Sequence, residues 1–194
     1  MFNLLYLNHR ECDIIHGVIQ KEWEKMNIIM ENSVEKTTNV FETISQVSSQ
    51  IVKRLENVSP LKLQKIFYYV CAYYYTLEKK HIHSNQEIEF EAWTHGPVNV
   101  YLYNTYKEDY TKHALIEYDD TKHHTDKLND EEVEFINSVA DAYKDFSGVQ
   151  LETLTHMETP WKEKRIGLPE FSPSNEVISY DTILEYYEDK VSYE

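Results

Sequence analysis

Glycine and proline are scarce in this chain, which has 4 Gly and 5 Pro among its 194 residues. A many-stranded sandwich or barrel needs a turn roughly every 8 to 12 residues, and Gly and Pro supply most of those turns. The scarcity therefore excludes a large β fold. Because Leu, Ile, Glu, Lys and Tyr are frequent instead, the composition predicts a mainly α-helical protein, and its length suits one compact domain with an appendage.

Long hydrophobic runs and a cysteine framework are also absent. The longest apolar run, Ile66–Tyr75, has about 10 residues, whereas a membrane-spanning helix needs roughly 20. The first residues lack the basic leading region of a signal peptide. We therefore expect a cytoplasmic protein with no membrane segment. Two cysteines, Cys12 and Cys71, are too few for a disulfide framework, and the apolar helical pattern around Cys71 predicts a reduced, packed thiol.

Basic side chains are rare in the second half of the chain. Residues 1–114 hold 14 acidic and 12 basic side chains, whereas residues 115–194 hold 20 acidic and 7 basic ones, so nearly all of the net charge of −15 is C-terminal. An acidic surface repels phosphates and attracts a basic protein. We therefore expect no direct nucleic-acid binding. The alternative interpretation of the charge is a solvated face that only maintains solubility.

The clearest helical periodicity begins at Val40. Apolar residues recur from there to Leu55 at spacings of three and four, which predicts an amphipathic helix. Ser59 followed by Pro60 supplies an N-cap hydroxyl and a first-turn proline, so a second helix should begin at Pro60 and run to about Lys79. This second helix is aromatic nearly all round, so we expect it to be the central helix, covered on more than one side.

Only one stretch has a clear strand period. From residue 87 to residue 93, apolar and acidic side chains alternate, as in a short strand. Residues 114–118 could supply its partner in a two-stranded β ribbon, but their apolar side chains are consecutive, so periodicity does not decide the matter. Gly96 and Pro97 should end the first strand and begin a third helix that continues to about Asp109.

Polar capping signals mark the remaining helices. Capping-box patterns begin at Asn129 and at Ser147, and Ser179 is placed to cap the last helix. Residues 119–127 are polar and charged, so they are predicted to form an exposed linker between the third and fourth helices.

No active site is visible in the sequence. His81 and His83, together with His123 and His124, could reach one ion, but they lack the spacing of a tetrahedral zinc site. The 4 glycines are isolated and form neither a P-loop nor a dinucleotide fingerprint. We therefore predict a protein that is not an enzyme, with no metal and no cofactor. A metal-dependent enzyme that uses the loop histidines is the alternative from another class.

Aromatic residues are the stronger indication of function, because the chain has 16 Tyr, 7 Phe and 3 Trp. Tyr and Trp offer a large contact area with few rotatable bonds, and they are favoured at binding hot spots. The tyrosines of the second helix are predicted to pack inside the protein. A later group is a better candidate for partner binding, because its tyrosines cover more than one helix face: His95, Tyr101, Tyr103, Tyr106 and Tyr110.

Three separated motifs carry a family resemblance. The first is Leu63-Gln64-Lys65 with the aromatic run after it, the second joins Glu91-Ala92-Trp93 to Gly96-Pro97-Val98, and the third is Pro160-Trp161. In this order they resemble the Panacea domain of SocA-like antitoxins, over about residues 38 to 190. One departure is Thr94-His95, where the family often has an aromatic residue beside the glycine. We expect the motif residues to define the fold: Leu63, Gln64, Lys65, Tyr68, Trp93, Gly96, Pro97, Val98, Pro160 and Trp161.

The resemblance implies a mainly helical antitoxin of bacterial or phage origin, whose partner is a protein toxin that is usually encoded by an adjacent gene. The domain would span residues 37–194, after an extension, residues 1–36, that matches nothing in the family. Some members act instead as adaptors that deliver the toxin to a protease, and this is the first alternative. We predict that the protein binds and neutralises a cognate toxin directly, through the surface around His95 and Tyr101.

Overall fold

A computed structural model describes residues 39–84 and 86–191. Within these ranges the chain is mainly helical, as predicted, with two small sheets of two strands each. None of these helices is long and apolar enough to cross a membrane. The predicted extension and Cys12 lie outside the described residues. In chain order the elements are α1 (Val40–Leu55), β1 (Asn57–Val58), α2 (Pro60–Glu78), β2 (Glu91–Trp93), β3 (Gly96–Val98), α3 (Val100–Thr105), α4 (Lys107–Lys112), β4 (Ile116–Glu117), α5 (Asp130–Ala142), α6 (Gly148–Met157), α7 (Thr159–Glu163) and α8 (Tyr180–Val191).

Helix α2 is the centre of the fold, as its sequence predicts. Helices α1, α5, α6 and α8 all pack against it. Its tyrosines Tyr68, Tyr69 and Tyr73 are fully buried, so they belong to the core and not to a partner-binding surface. The helix begins where its sequence indicates, because the Ser59 hydroxyl accepts a hydrogen bond from the Lys62 N–H at 3.3 Å. The thiol of Cys71 is free and buried on this helix, and burial raises its pKa.

Both predicted capping boxes are present. At the start of α5, Asn129 and Glu132 each accept a hydrogen bond from the backbone N–H of the other, at 2.8 and 3.0 Å. Ser147 and Gln150 make the same reciprocal pair at the start of α6. The first N–H groups of a helix have no acceptor within it, so each box satisfies two of them. Local sequence therefore fixes where α5 and α6 begin.

The β ribbon forms, but the candidate partner, residues 114–118, was wrong. Strand β2 pairs with β3 in a tight antiparallel hairpin, with Ala92 opposite Pro97. Strand β4 pairs instead with β1, a two-residue strand directly after α1. Nearness along the chain decides the pairing, because closing a two-residue turn costs little conformational entropy.

The third helix begins later than predicted and is broken. Pro97 lies in β3 and not in a first helical turn, and Asn99 is the true N-cap, accepting the Leu102 N–H at 2.9 Å. Tyr106 then leaves helical geometry, with φ −111° and ψ 20°, and separates α3 from α4. Asn is a common N-cap because its side chain competes well for orphan N–H groups.

The predicted exposed linker, residues 119–127, is only partly exposed. His123 in this segment is buried, and its Nδ1 accepts the backbone N–H of Asp119 at 3.0 Å. Its Nε2 lies 3.2 Å from the hydroxyl of Tyr106, and its ring stacks near those of Tyr106 and Tyr118. The polar composition was misleading, because an imidazole with a partner on each nitrogen can be buried.

A buried carboxylate lies among the core tyrosines. Glu158, between α6 and α7, accepts hydrogen bonds from the hydroxyls of Tyr69, at 3.0 Å, and Tyr187, at 2.8 Å. Tyr143 stacks on Tyr69 with 4.4 Å between ring centroids, and its hydroxyl lies 3.2 Å from that of Tyr73. This cluster, which we call the tyrosine network, joins α2 and α8 to the ends of α5 and α6. Burial raises the pKa of Glu158 to about 7, although the two hydroxyl donors oppose the shift.

We predict that Glu158→Gln changes how stability depends on pH. The folded pKa of Glu158 is raised, so between about pH 4.5 and pH 7 the folded protein binds more protons than the unfolded chain, and stability falls as the pH rises. The amide cannot titrate, so the variant lacks this loss. Between pH 5 and pH 8 the free energy of unfolding of wild type should fall by up to about 3 kcal/mol relative to that of the variant. Urea unfolding across this range measures the difference, and parallel curves for the two proteins would contradict it.

Candidate functional site

The first two motifs meet at a contact between α2 and the β2–β3 hairpin. Lys65 is fully buried, and its Nζ donates a hydrogen bond to the carbonyl oxygen of Pro97 at 2.8 Å. The side-chain amide of Gln64 donates to the Asn99 carbonyl at 3.1 Å and accepts the Asn99 N–H at 3.0 Å. Two adjacent residues of one helix therefore satisfy the backbone where the hairpin ends and α3 begins, which fixes the hairpin on α2.

Gly96 allows the close approach that this contact needs. Its φ is +92°, a conformation that residues with a Cβ rarely adopt. A Cβ placed there would lie 2.6 Å from Oγ1 of Thr155 and 2.9 Å from Nζ of Lys65. Both the backbone angle and the packing therefore require glycine.

Lys65 does not have the setting of a reactive amine. Burial lowers its pKa to about 7, while the charge of Glu152 acts in the opposite direction. A lowered pKa is also a property of catalytic lysines, but those lie in a cleft that admits a substrate. Lys65 is 0% exposed and its amine already donates to Pro97, so it has the environment of a structural residue.

The third motif packs against the other strand of the same hairpin. The indole N–H of Trp161 donates to the carbonyl of Trp93 at 2.8 Å. The ring of His156 stacks on that of Trp161 with 3.9 Å between centroids, and the guanidinium of Arg165 lies 5.2 Å from the Trp161 ring. Burial lowers the pKa of His156, so the neutral ring is favoured in this stack. Motifs separated by about a hundred residues of sequence thus form one structural unit around the hairpin.

The five partner-binding candidates differ in their exposure. His95, at the hairpin tip, has a side chain that is 74% exposed, and its Nδ1 lies 2.9 Å from Oε1 of Glu152. Tyr101 is 41% exposed and contacts the ring of Phe41. The other three are half-buried and engaged in ring contacts: Tyr103 with Trp93 and Tyr110, and Tyr106 with His123.

The sequence of this central region identifies its family. A sequence model of the family described as antitoxin SocA-like, Panacea domain, matches residues 63–162. The chain belongs to this family. The match begins at the Leu63-Gln64-Lys65 motif and ends directly after Pro160-Trp161, so it encloses all three motifs that meet around the hairpin. No curated protein and no solved structure matches the chain.

Membership of the Panacea family supports an antitoxin role, with a toxin as partner, and suggests a role that is not enzymatic. The metal alternative gains nothing from the geometry. Among residues 39–84 and 86–191, no group of three or more His, Cys, Asp or Glu side chains could hold a metal ion. His83 lies 2.8 Å from Glu132, and the ring of His81 packs against those of Tyr75 and Tyr180, so these histidines have other partners.

Several residues of this unit were given no role in the site from the sequence. Thr155 and Glu152 face the hairpin from α6, Asn99 caps α3, and Arg165 lies beneath the loop that follows α7. Only Asn99 had a usable signal, since an Asn before an aromatic helical segment is a typical N-cap. The others depend on contacts across the fold that have no local pattern.

We predict that Gly96→Ala destabilises the protein more than Gly167→Ala. Both glycines have positive φ, +92° and +82°, but a Cβ at Gly167 meets no atom within 4 Å, so only Gly96 adds a packing conflict. The expected loss in free energy of unfolding is about 1 kcal/mol for Gly167→Ala and about 2 to 4 kcal/mol for Gly96→Ala. Urea denaturation measures both values, and equal losses would contradict the close approach to Thr155 and Lys65.

Proposed function

We propose that this protein is an antitoxin that neutralises a cognate protein toxin by binding it directly. Residues 37–194 act in this proposal as one domain, in the cytoplasm of a bacterium or of a phage-infected cell. The toxin is the product of an adjacent gene. The observation that carries the proposal is the match to the Panacea family over residues 63–162.

The arrangement of the motif residues supports a binding role. Gln64, Lys65 and Gly96 are all buried, and each is occupied by contacts within the domain. They build a framework for the hairpin and leave its tip, with His95, available to a partner. His95 and Tyr101 are the proposed contact residues, and the half-buried Tyr103, Tyr106 and Tyr110 are further candidates.

The charge of the chain supports a basic partner. The net charge is −15, and residues 115–194 contribute −13 of it. Opposite charges raise the rate at which two proteins meet, and salt screens this effect. In the proposed mechanism the acidic half steers the toxin, and the complex then covers the toxin's working surface.

We expect that co-expression with the neighbouring gene product restores growth and yields a complex that co-purifies. The decisive comparison uses host cells with and without their ATP-dependent proteases. Direct neutralisation requires equal rescue in both hosts and an unchanged toxin level. Rescue only in protease-competent cells, with a falling toxin level, would instead indicate an adaptor. A neighbouring product that is harmless alone and never co-purifies would overturn the proposal.

Salt provides a second test, on purified proteins. We expect the association rate constant to fall steeply as ionic strength rises from about 0.01 to 0.15 M, because the Debye length shrinks from about 30 to 8 Å. The dissociation rate should change much less, since rim charges act mainly on the encounter. Stopped-flow measurements separate the two rates. An association rate that does not depend on salt would contradict steering by the acidic half.

A further inference from the structure

The loop after α7 exposes a group of apolar side chains. Ile166 is 81% exposed and Phe171 is 79% exposed, and Leu168 between them is also exposed. Single exposed apolar residues are ordinary, but several on one short loop indicate an interaction site. We call residues 166–172 the anchored loop. It lies just outside the family match, which ends at residue 162.

Arg165 holds this loop in one shape. Its side chain is buried, and its guanidinium donates to the carbonyl oxygens of Glu170, at 3.1 Å, and Ser172, at 2.8 Å. The same guanidinium also donates to the carbonyl of Ala92 in β2, at 3.0 Å. Backbone hydrogen bonds close two turns inside the loop, from Leu168 to Arg165 and from Ser172 to Pro169. The loop is thus folded around a side chain that is itself fixed to the hairpin.

The anchored loop and the hairpin tip form one surface. The hydroxyl of Thr94 donates to the carbonyl of Ser172 at 3.2 Å, so the end of the loop touches the residue next to His95. His95 directly follows Thr94 in the chain, and Phe171 directly precedes Ser172. A partner that covers the hairpin tip therefore meets the apolar side chains of the loop as well.

The rigidity of the loop suits a binding anchor. A flexible loop must lose conformational freedom when a partner binds, and this cost reduces affinity. Here the hydrogen bonds to Arg165 have already fixed the backbone, so Ile166 and Phe171 can be buried at a lower cost in entropy. Large side chains that are fixed before binding and fill a pocket on the partner are typical of hot spots.

Charge indicates which partner can cover the surface. A second copy of this chain would also carry a net charge of −15, so like-charge repulsion opposes self-association. Around the loop, Glu163, Glu170 and Glu176 are exposed, as is Lys162, while Lys164 lies 3.7 Å from Glu163. The charge of Arg165 is buried beneath the loop. An apolar centre on a chain with a net charge of −15 matches a pocket that basic side chains surround.

We propose that the anchored loop inserts Ile166 and Phe171 into an apolar pocket, rimmed by basic side chains, on the cognate toxin. The inference rests on the proposed function, since it names the surface with which the antitoxin grips its partner. It places the main anchor outside residues 63–162 and gives the matched region the task of supporting it.

The test compares two exposed apolar sites. Ile166→Ser and Phe171→Ser are combined in one variant, and Leu115→Ser, which removes a side chain that is 57% exposed, is the control. The probe is the purified product of the neighbouring gene, and calorimetry or surface plasmon resonance gives its dissociation constant. We expect the double variant to bind roughly 30-fold or more weakly than wild type, mainly through faster dissociation, and the control to bind like wild type. Thermal unfolding of all three proteins verifies that each is folded.

Each other outcome overturns the inference in a distinguishable way. Equal binding by the double variant and the control rejects the anchored loop but leaves direct neutralisation intact. A wild type that fails to bind the neighbouring product rejects the proposed function, and this surface with it. A dimer of wild type alone that the double variant loses, seen by analytical ultracentrifugation, assigns the loop to self-association and rejects the toxin as its occupant.

Discussion

The contact of Lys65 with the backbone at Gly96 and Pro97 is the constraint on which the rest of the site depends. A lysine side chain is costly to bury, and here it is buried in full because a carbonyl oxygen accepts its hydrogen bond. The absence of a side chain at Gly96 makes room for Lys65 and Thr155 at the same point. Once the hairpin is fixed on α2, its two strands have defined positions. The chain after β3 starts α3, and carbonyl oxygens of β2 accept hydrogen bonds from Trp161 and Arg165.

The order of the helices could be predicted from the sequence, but the site could be predicted only in part. Periodicity and capping signals gave α1, α2, α5 and α6, because such signals act within a few residues of the chain. The motif residues were also identified. Their role in joining α2, the hairpin and α7 could not be seen, since Lys65 has the sequence pattern of an ordinary exposed lysine. The predicted partner of β2, residues 114–118, was wrong for a related reason. The true partner, β3, is a three-residue strand containing Pro97, and it has no alternating pattern to recognise.

Several buried polar groups of this protein join elements that are distant in sequence. Glu158 joins α2 to α8 through two tyrosine hydroxyls, and Arg165 joins the anchored loop to β2. Leaving a buried polar group without its partner costs more free energy than the hydrogen bond contributes to stability. These contacts therefore favour one arrangement of the helices over others. The apolar core supplies most of the stabilisation, while the polar contacts select the geometry of the surface.

The position of α8 has a consequence for how the protein is made. Tyr187 of α8 is fully buried and packs against Tyr73 of α2, with 5.0 Å between ring centroids. A ribosome therefore releases α2 long before the helix that covers its aromatic face. During that interval the nascent chain exposes tyrosines that the finished protein hides, and such surfaces attract chaperones or aggregate. A chain truncated before α8 therefore leaves this face of its central helix uncovered.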